Sequence, residues 1–329
     1  MHRLFRSVQT VADGLLRQQY LCNRTVATTL FLAAHLGKPL LVEGPAGVGK
    51  TALAQALAGA LNTPLVRLQC YPGLDEAKAL YEWNYQKQLL YIQVAAGSKQ
   101  VWEELRQDIY TPEFLLARPL LKAFLSEKPV VLLVDEVDKS DEELESFLLE
   151  ALSEFQVSIP ELGTIRARHI PFTLLTSNSS REFSDALKRR CLHLYIPYPT
   201  AEQERAIVAL KVPGIDGRLA AQVVDFVHNL RRLPLKKSPS IAETLDFART
   251  MLLLEAKQLE LRVVAEALNV LLKYQEDVEK VMTRLGDLLP EVREEDGVPA
   301  AQGTLPRAVA AGEETEEEPG GVDLSRFNF

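Results

Sequence analysis

Cysteine is scarce. Three in 329 residues, Cys22, Cys70 and Cys191, lie too far apart for any metal-ligand spacing. So sparse and odd a set excludes a disulfide scaffold and suits a reducing compartment, so a cytoplasmic protein without disulfides is expected. No apolar run approaches the roughly 20 residues that a membrane span requires. The start, MHRLFRSVQTVADGLLRQQYL, lacks a secretory core and carries Asp13, so an ordinary first helix is expected there rather than a transit segment. A basic excess is missing too. Net charge is −8, and from Glu291 onward ten acidic residues face three basic ones, which leaves residues 1–290 near balance. That balance gives no support to broad binding along a nucleic-acid backbone.

What the chain does have is apolar material: 47% hydrophobic residues beside 25% charged ones. PLLVE (39–43), PLVRLQC (64–70), VVLLVDEVD (130–138), FTLLTSN (172–178) and LHLYIPYP (192–199) read as strands, several of them continuous apolar runs of the kind a parallel sheet buries on both faces. Helical segments alternate with them: TALAQALAGAL, FLLARPLLKAFL from Phe114 with an interruption at Pro119, and SDEELESFLLEALSEF, where Ser140 can cap the start. This alternation predicts an α/β fold with a parallel sheet over residues 1–199. From about Ala201 the pattern is helical alone, which predicts an all-helical second domain over 200–290. The Ala-, Gly-, Pro- and Glu-rich stretch 291–329 cannot bury a core and is expected to be a disordered acidic tail, with DLSRFNF at its end as a candidate docking peptide. One segment breaks the pattern. YEWNY (81–85) alternates Tyr81, Trp83 and Tyr85 against Glu82 and Asn84, a period of two where a helix belongs, and WEELRQDI follows.

The chemistry concentrates in four places. GPAGVGKT, residues Gly44, Pro45, Ala46, Gly47, Val48, Gly49, Lys50 and Thr51, fits the phosphate-loop pattern between a strand and a helix. Glycines let backbone N–H groups curl round phosphates, Lys50 reaches the β and γ phosphates, and Thr51 offers a hydroxyl to Mg²⁺. Asp135, at the end of a buried strand, is placed for the Mg²⁺ shell, and Glu136 beside it for activating a water. Asp138 reads as the start of the next helix rather than as a third acid. Asn178 lies at the carboxyl edge of its strand, where ligands of open α/β sheets sit. In DALKRRC, Arg189 and Arg190 end a helix before the last strand; either a solvated terminus or an arginine finger fits them.

In this order the motifs resemble the AAA+ ATPases. SFLLEALSEFQVSIPELG, PFTLLTSN and DALKRRCLHLYIPYP resemble the MoxR family, and YEWNYQKQLL with FLLARPLL its CoxD-like branch. The resemblance spans about residues 18–285. It implies an AAA+ core with an insert in helix 2 at about 80–112 facing a ring's pore, followed by a helical lid. It implies ATP and Mg²⁺ as cofactors, Lys50 and Thr51 on phosphate and Mg²⁺, Asp135 on Mg²⁺, Glu136 on the water and Asn178 as sensor of the γ-phosphate. Arg190, or else Arg189, then acts on a neighbouring subunit of a homo-oligomeric ring, usually a hexamer. A von Willebrand factor A domain protein as partner and a client metalloenzyme follow from the same resemblance. The lid departs from the family pattern: KKSPSIAETLDFAR puts Ser240 after Pro239 where many relatives carry an arginine, with Lys236 or Lys237 as substitutes. A nucleotide-gated switch with little hydrolysis, a P-loop small-molecule kinase and a GTP-driven or nucleic-acid-remodelling motor remain the other readings of the same loop.

Overall fold

Each central strand buries two different sets of side chains, one on each face. The computed structural model describes residues 3–95 and 109–290; most of WEELRQDI and the whole acidic tail lie outside them. Strands β1 (Leu40–Glu43), β2 (Leu65–Gln69), β5 (Val131–Asp135), β8 (Phe172–Ser177) and β9 (Leu192–Tyr195) form one parallel sheet in the order β2-β5-β8-β1-β9. Leu40, Val42, Val131, Leu133 and Leu174 point to one side, against helices α1 (Val8–Arg17), α2 (Arg24–Leu36) and α3 (Lys50–Leu61). Leu41, Leu132, Val134 and Leu175 point to the other, against α4 (Glu76–Leu80), α6 (Pro119–Leu125) and α7 (Glu142–Glu154). Period-two alternation with both faces covered is why these strands read as unbroken apolar runs.

Several expected boundaries shift, each for a local reason. FLLARPLLKAFL is not one interrupted helix: Leu115–Ala117 is strand β4, paired antiparallel with β3 (Tyr81–Trp83), and Pro119 begins α6. Proline suits that first helical position, since its missing N–H would be unbonded there anyway. The strand read as 130–138 stops at Asp135, because Glu136 turns into the left-handed region at φ 57°. Ser140 does not cap α7. Its hydroxyl donates to Val137 O at 2.7 Å, and Asp141 takes the cap instead, accepting from Leu144 N at 2.9 Å. The last strand ends at Tyr195, ahead of Pro197 and Pro199, which have no N–H for a ladder. The aromatic alternation also ends early. Asn84 accepts from Lys87 N at 3.0 Å and starts α5 (Tyr85–Ala95), so Tyr85 leaves the ribbon. A second ribbon, β6 (Gln156–Ile159) with β7 (Gly163–Arg166), follows α7 and has no counterpart in the sequence reading.

After β9 come helices alone: a short α8 (Asp185–Arg190) precedes it, and α9 (Ala201–Lys211), α10 (Gly217–Arg231), α11 (Ile241–Leu253), α12 (Leu261–Leu271), α13 (Gln275–Met282) and α14 (Leu285–Leu288) follow. These six share a core of their own around Val223, Phe226, Phe247, Val264 and Leu268. The sheet and the helices after it lie within one compact unit, residues 1–292. Cys22, Cys70 and Cys191 are free thiols, and burial pushes them up to about 11, 12 and 12 respectively. No helix among the described residues is long and apolar enough to cross a membrane.

Candidate functional site

The phosphate loop runs from the end of β1 to the start of α3, and two glycines set its path. Gly44 passes so close to the backbone that a Cβ there would lie 2.1 Å from Ile196 O; Gly47, at φ 76°, would place one 2.3 Å from Ser240 Cβ and Oγ. Only glycine fits both demands. Lys50, at the first position of α3, folds back into the loop. Its Nζ donates to Gly44 O at 2.7 Å, Pro45 O at 2.8 Å and Asn178 Oδ1 at 2.9 Å. Burial lowers its pKa first of all, while the carboxylates of Asp138, Asp135 and Glu136 work the other way.

Asp135 closes β5, which is separated from β1 by β8, and is 1% exposed. Thr51 Oγ1 donates to its two oxygens at 3.1 and 3.2 Å, Thr176 Oγ1 donates to Oδ1, and the Arg67 guanidinium pairs with Oδ2. Thr51 and Asp135 thus present an all-oxygen donor pair beside the loop. Among the described residues no cluster of three or more His, Cys, Asp or Glu could hold a metal by itself. The combination fits Mg²⁺, which keeps its waters and is held by one or two protein oxygens plus phosphate rather than by a protein cage. Glu136 is held by two donors, Gln69 Nε2 at 2.8 Å and Lys139 Nζ at 2.6 Å, and its own N–H donates to Thr176 Oγ1. Its turned backbone aims the carboxylate away from the strand toward β2.

Asn178 follows β8 directly and meets Lys50, so Lys50, Thr51, Asp135, Glu136 and Asn178 lie together at this edge of the sheet. Asp138 is buried and accepts from Ser180 Oγ and N; burial would raise its pKa, but these hydrogen bonds outweigh it and the pKa is lowered. Behind it Glu145, in α7, accepts from Arg181 at 2.7 Å and from Ser184 N and Oγ at 2.9 and 2.6 Å. Ser184 in turn caps α8, the helix that ends in Arg189 and Arg190. Both arginines are exposed, and among the described residues neither bonds to the phosphate loop of its own chain.

Among the helices after the sheet, Lys236 pairs with Glu276 at 2.7 Å and Lys237 with Glu243 at 3.4 Å. Ser240 itself caps α11 and sits on Gly47. The segment before it is fixed by Arg231, whose Nε donates to Pro239 O at 2.7 Å and whose two other nitrogens grip fully buried Glu204 at 2.6 and 2.9 Å. Sequence reasoning missed Arg67, Gln69, Thr176 and this lid latch. For the first two a signal existed: Arg67 and Gln69 alternate in PLVRLQC, and polar side chains two apart on one strand share a face. A cleft of about 560 Å³ between Lys38, Asn62, Val130 and Phe172 opens at the amino ends of the strands, the edge opposite the loop. Ligands of open α/β sheets bind at the carboxyl edge, so this cleft is not the nucleotide site.

Residues 39–191 match the family described as the AAA domain (dynein-related subfamily). The denitrification regulatory protein NirQ of Stutzerimonas stutzeri is 27% identical over 216 residues, covering 63% of this chain and 69% of that protein. An uncharacterized protein of Staphylococcus haemolyticus is 22% identical over 245 residues, 72% of this chain and 85% of the relative. Among solved structures, the RuvB Holliday junction branch migration motor of Thermotoga maritima superposes with a TM-score of 0.43 at 16% identity, over 82% of this chain and 73% of that one.

Proposed function

We propose that this chain, an AAA+ P-loop NTPase in fold with an AAA domain over residues 39–191, hydrolyses ATP with Mg²⁺ as a ring of the MoxR type. One observation carries the proposal: Lys50, Thr51, Asp135, Glu136 and Asn178 meet at the carboxyl edge of the sheet, joined by direct hydrogen bonds from Lys50 to Asn178 and from Thr51 to Asp135. When bound, Mg²⁺ supplies neutralisation of the phosphate charge. The chain does the rest. Lys50 exchanges its carbonyl partners for the β and γ phosphates. Thr51, with its proton committed to Asp135, has lone pairs left for the ion. Glu136, once released from Gln69 and Lys139, accepts a proton from the attacking water. Asn178 contacts the γ-phosphate, and Arg190, with Arg189 as second candidate, reaches the neighbouring subunit's site, so turnover needs a homo-oligomer.

Beyond the ATPase, the MoxR-like wording of SFLLEALSEFQVSIPELG and DALKRRCLHLYIPYP supports a chaperone that remodels a client metalloenzyme with a von Willebrand factor A domain partner. The CoxD-like assignment rests on YEWNYQKQLL and FLLARPLL alone. Similarity to a protein named for denitrification regulation is compatible with action on another enzyme system. One observation favours a second reading, a nucleotide-gated switch with little hydrolysis: Glu136 is already held by two donors. The deciding experiment is ATP turnover by the full chain and by Glu136→Gln, each sized with and without ATP. Turnover in the wild type, with the variant trapped as a nucleotide-bound ring at a rate about 10²-fold lower or less, is the expected result. Nucleotide binding and assembly with no turnover would establish the switch.

A further inference from the structure

Asp135 is not waiting bare for a metal ion. Its carboxylate is 1% exposed and already carries a cation, the guanidinium of Arg67 at 2.5 Å. A buried carboxylate needs such a partner, since an unpaired charge out of water is costly. Lys50 does not fill that role: its ammonium is spent on two carbonyls and Asn178. Arg67 comes from β2, the edge strand, where it pairs in register with Leu133 while Gln69 pairs with Asp135. Its side chain therefore reaches diagonally up the sheet by one alternate position. It is 49% exposed, so the same guanidinium that binds Asp135 has open solvent to retreat into. Arg67 also bonds to Gln69 Oε1, and Gln69 holds Glu136, so one edge strand engages both acids of the site.

We propose that Arg67 is the resident counter-cation of the divalent-metal site: it occupies Asp135 when no ion is bound and sets the divalent-ion concentration at which the nucleotide-loaded site fills. The inference rests on the nucleotide-binding reading of the loop. A positive charge a few ångströms from an incoming divalent ion opposes it, and the guanidinium also competes for Oδ2 until it withdraws. Removing that charge tightens the ion by about tenfold, an amount set by Coulomb repulsion at a half-solvated site. Part of this effect is screened by salt, so the difference shrinks between low and high ionic strength.

The test uses Mn²⁺ as the probe, with the free-ion electron paramagnetic resonance signal reporting its dissociation constant for the full chain saturated with ADP. Arg67→Gln is expected to bind Mn²⁺ about tenfold tighter than wild type. Arg67→Lys, a shorter single-point donor, is expected to fall between the two. ADP affinity in EDTA is expected to be the same in all three. Equal or weaker Mn²⁺ affinity in both variants overturns the proposal. So does a matching loss of ADP affinity in EDTA, which would give Arg67 to phosphate instead. If Arg67→Gln does not fold, unchanged Mn²⁺ affinity in Arg67→Lys is enough to overturn it. A wild-type chain that binds no ADP at all, with or without Mn²⁺, fails the nucleotide reading itself, an outcome distinct from bound ADP with indifferent Mn²⁺.

Discussion

Glu136 adopts a backbone that a non-glycine residue holds only at a cost of about 1–3 kcal/mol. The strain turns its carboxylate off the strand axis while Asp135, one residue earlier, stays in the sheet. Adjacent acids thereby reach different partners, Thr51 and Thr176 for one, Gln69 and Lys139 for the other. Arg190 makes the opposite case. It is exposed, with one long contact to Ala186 O in its own helix, so its removal leaves the fold intact. Arg190→Ala is expected to keep nucleotide binding and lose about 10³-fold in turnover. Mixing it with Glu136→Gln subunits, which keep the arginine but lack the base, is expected to restore part of the activity, measured as phosphate release. No recovery would place its role within the chain. The residues legible in the sequence are those whose motif is contiguous: GPAGVGKT, DE and TSN each carry their own pattern. Arg67 and Gln69 belong to Asp135 and Glu136 only because β2 lies beside β5, a neighbour relation that no local pattern carries.

At the scale of elements, the aromatics of YEWNY part company. Trp83 is buried on β3, edge-on to Tyr81 at 5.9 Å and Tyr110 at 5.2 Å, whereas Tyr85 is 64% exposed at the start of α5. Trp83→Ala is expected to cost about 3–5 kcal/mol in urea unfolding; Tyr85→Ala, about 0.5 kcal/mol or less. A remodelling defect in Tyr85→Ala with normal ATP turnover would assign that side chain to client contact. In the lid, burial acts to raise the pKa of Glu204, but Arg231, Thr244 and His228 more than offset it, so the folded pKa is depressed. A depressed carboxylate contributes stability that is present above its unfolded value of roughly 4.3 and is lost as pH falls through the folded value. The expected outcome is a lid that melts at lower temperature in acid, and a Glu204→Gln variant whose melting is less sensitive to pH over that range. Breaking the buried pair by Arg231→Leu is expected to cost about 3–5 kcal/mol. Strand and helix identity was legible from period and run length, but α6 and β4 were not. Pro119 looks alike whether it breaks a helix or begins one, and Leu115–Ala117 is extended only because Tyr81–Trp83 lies next to it.

For the molecule as a whole, the decisive contact is the one between Gly47 and Ser240, far apart in the chain and invisible to any motif. Gly47→Ala would force a methyl group into the Ser240 side chain and strain a left-handed backbone at once. It is expected to weaken ADP binding about tenfold or more and to separate the lid from the loop, read as faster hydrogen exchange in residues 236–244. Unchanged exchange there would mean the lid leans on other contacts.

The phosphate loop is gripped at two points. Gly44 abuts Ile196, where the chain leaves the sheet for the helices that follow, and Gly47 abuts Ser240, the cap of α11. A few peptide units are thus held against two points far apart in the chain, so any change in the curl of those peptides is felt at Ile196 and Ser240 together.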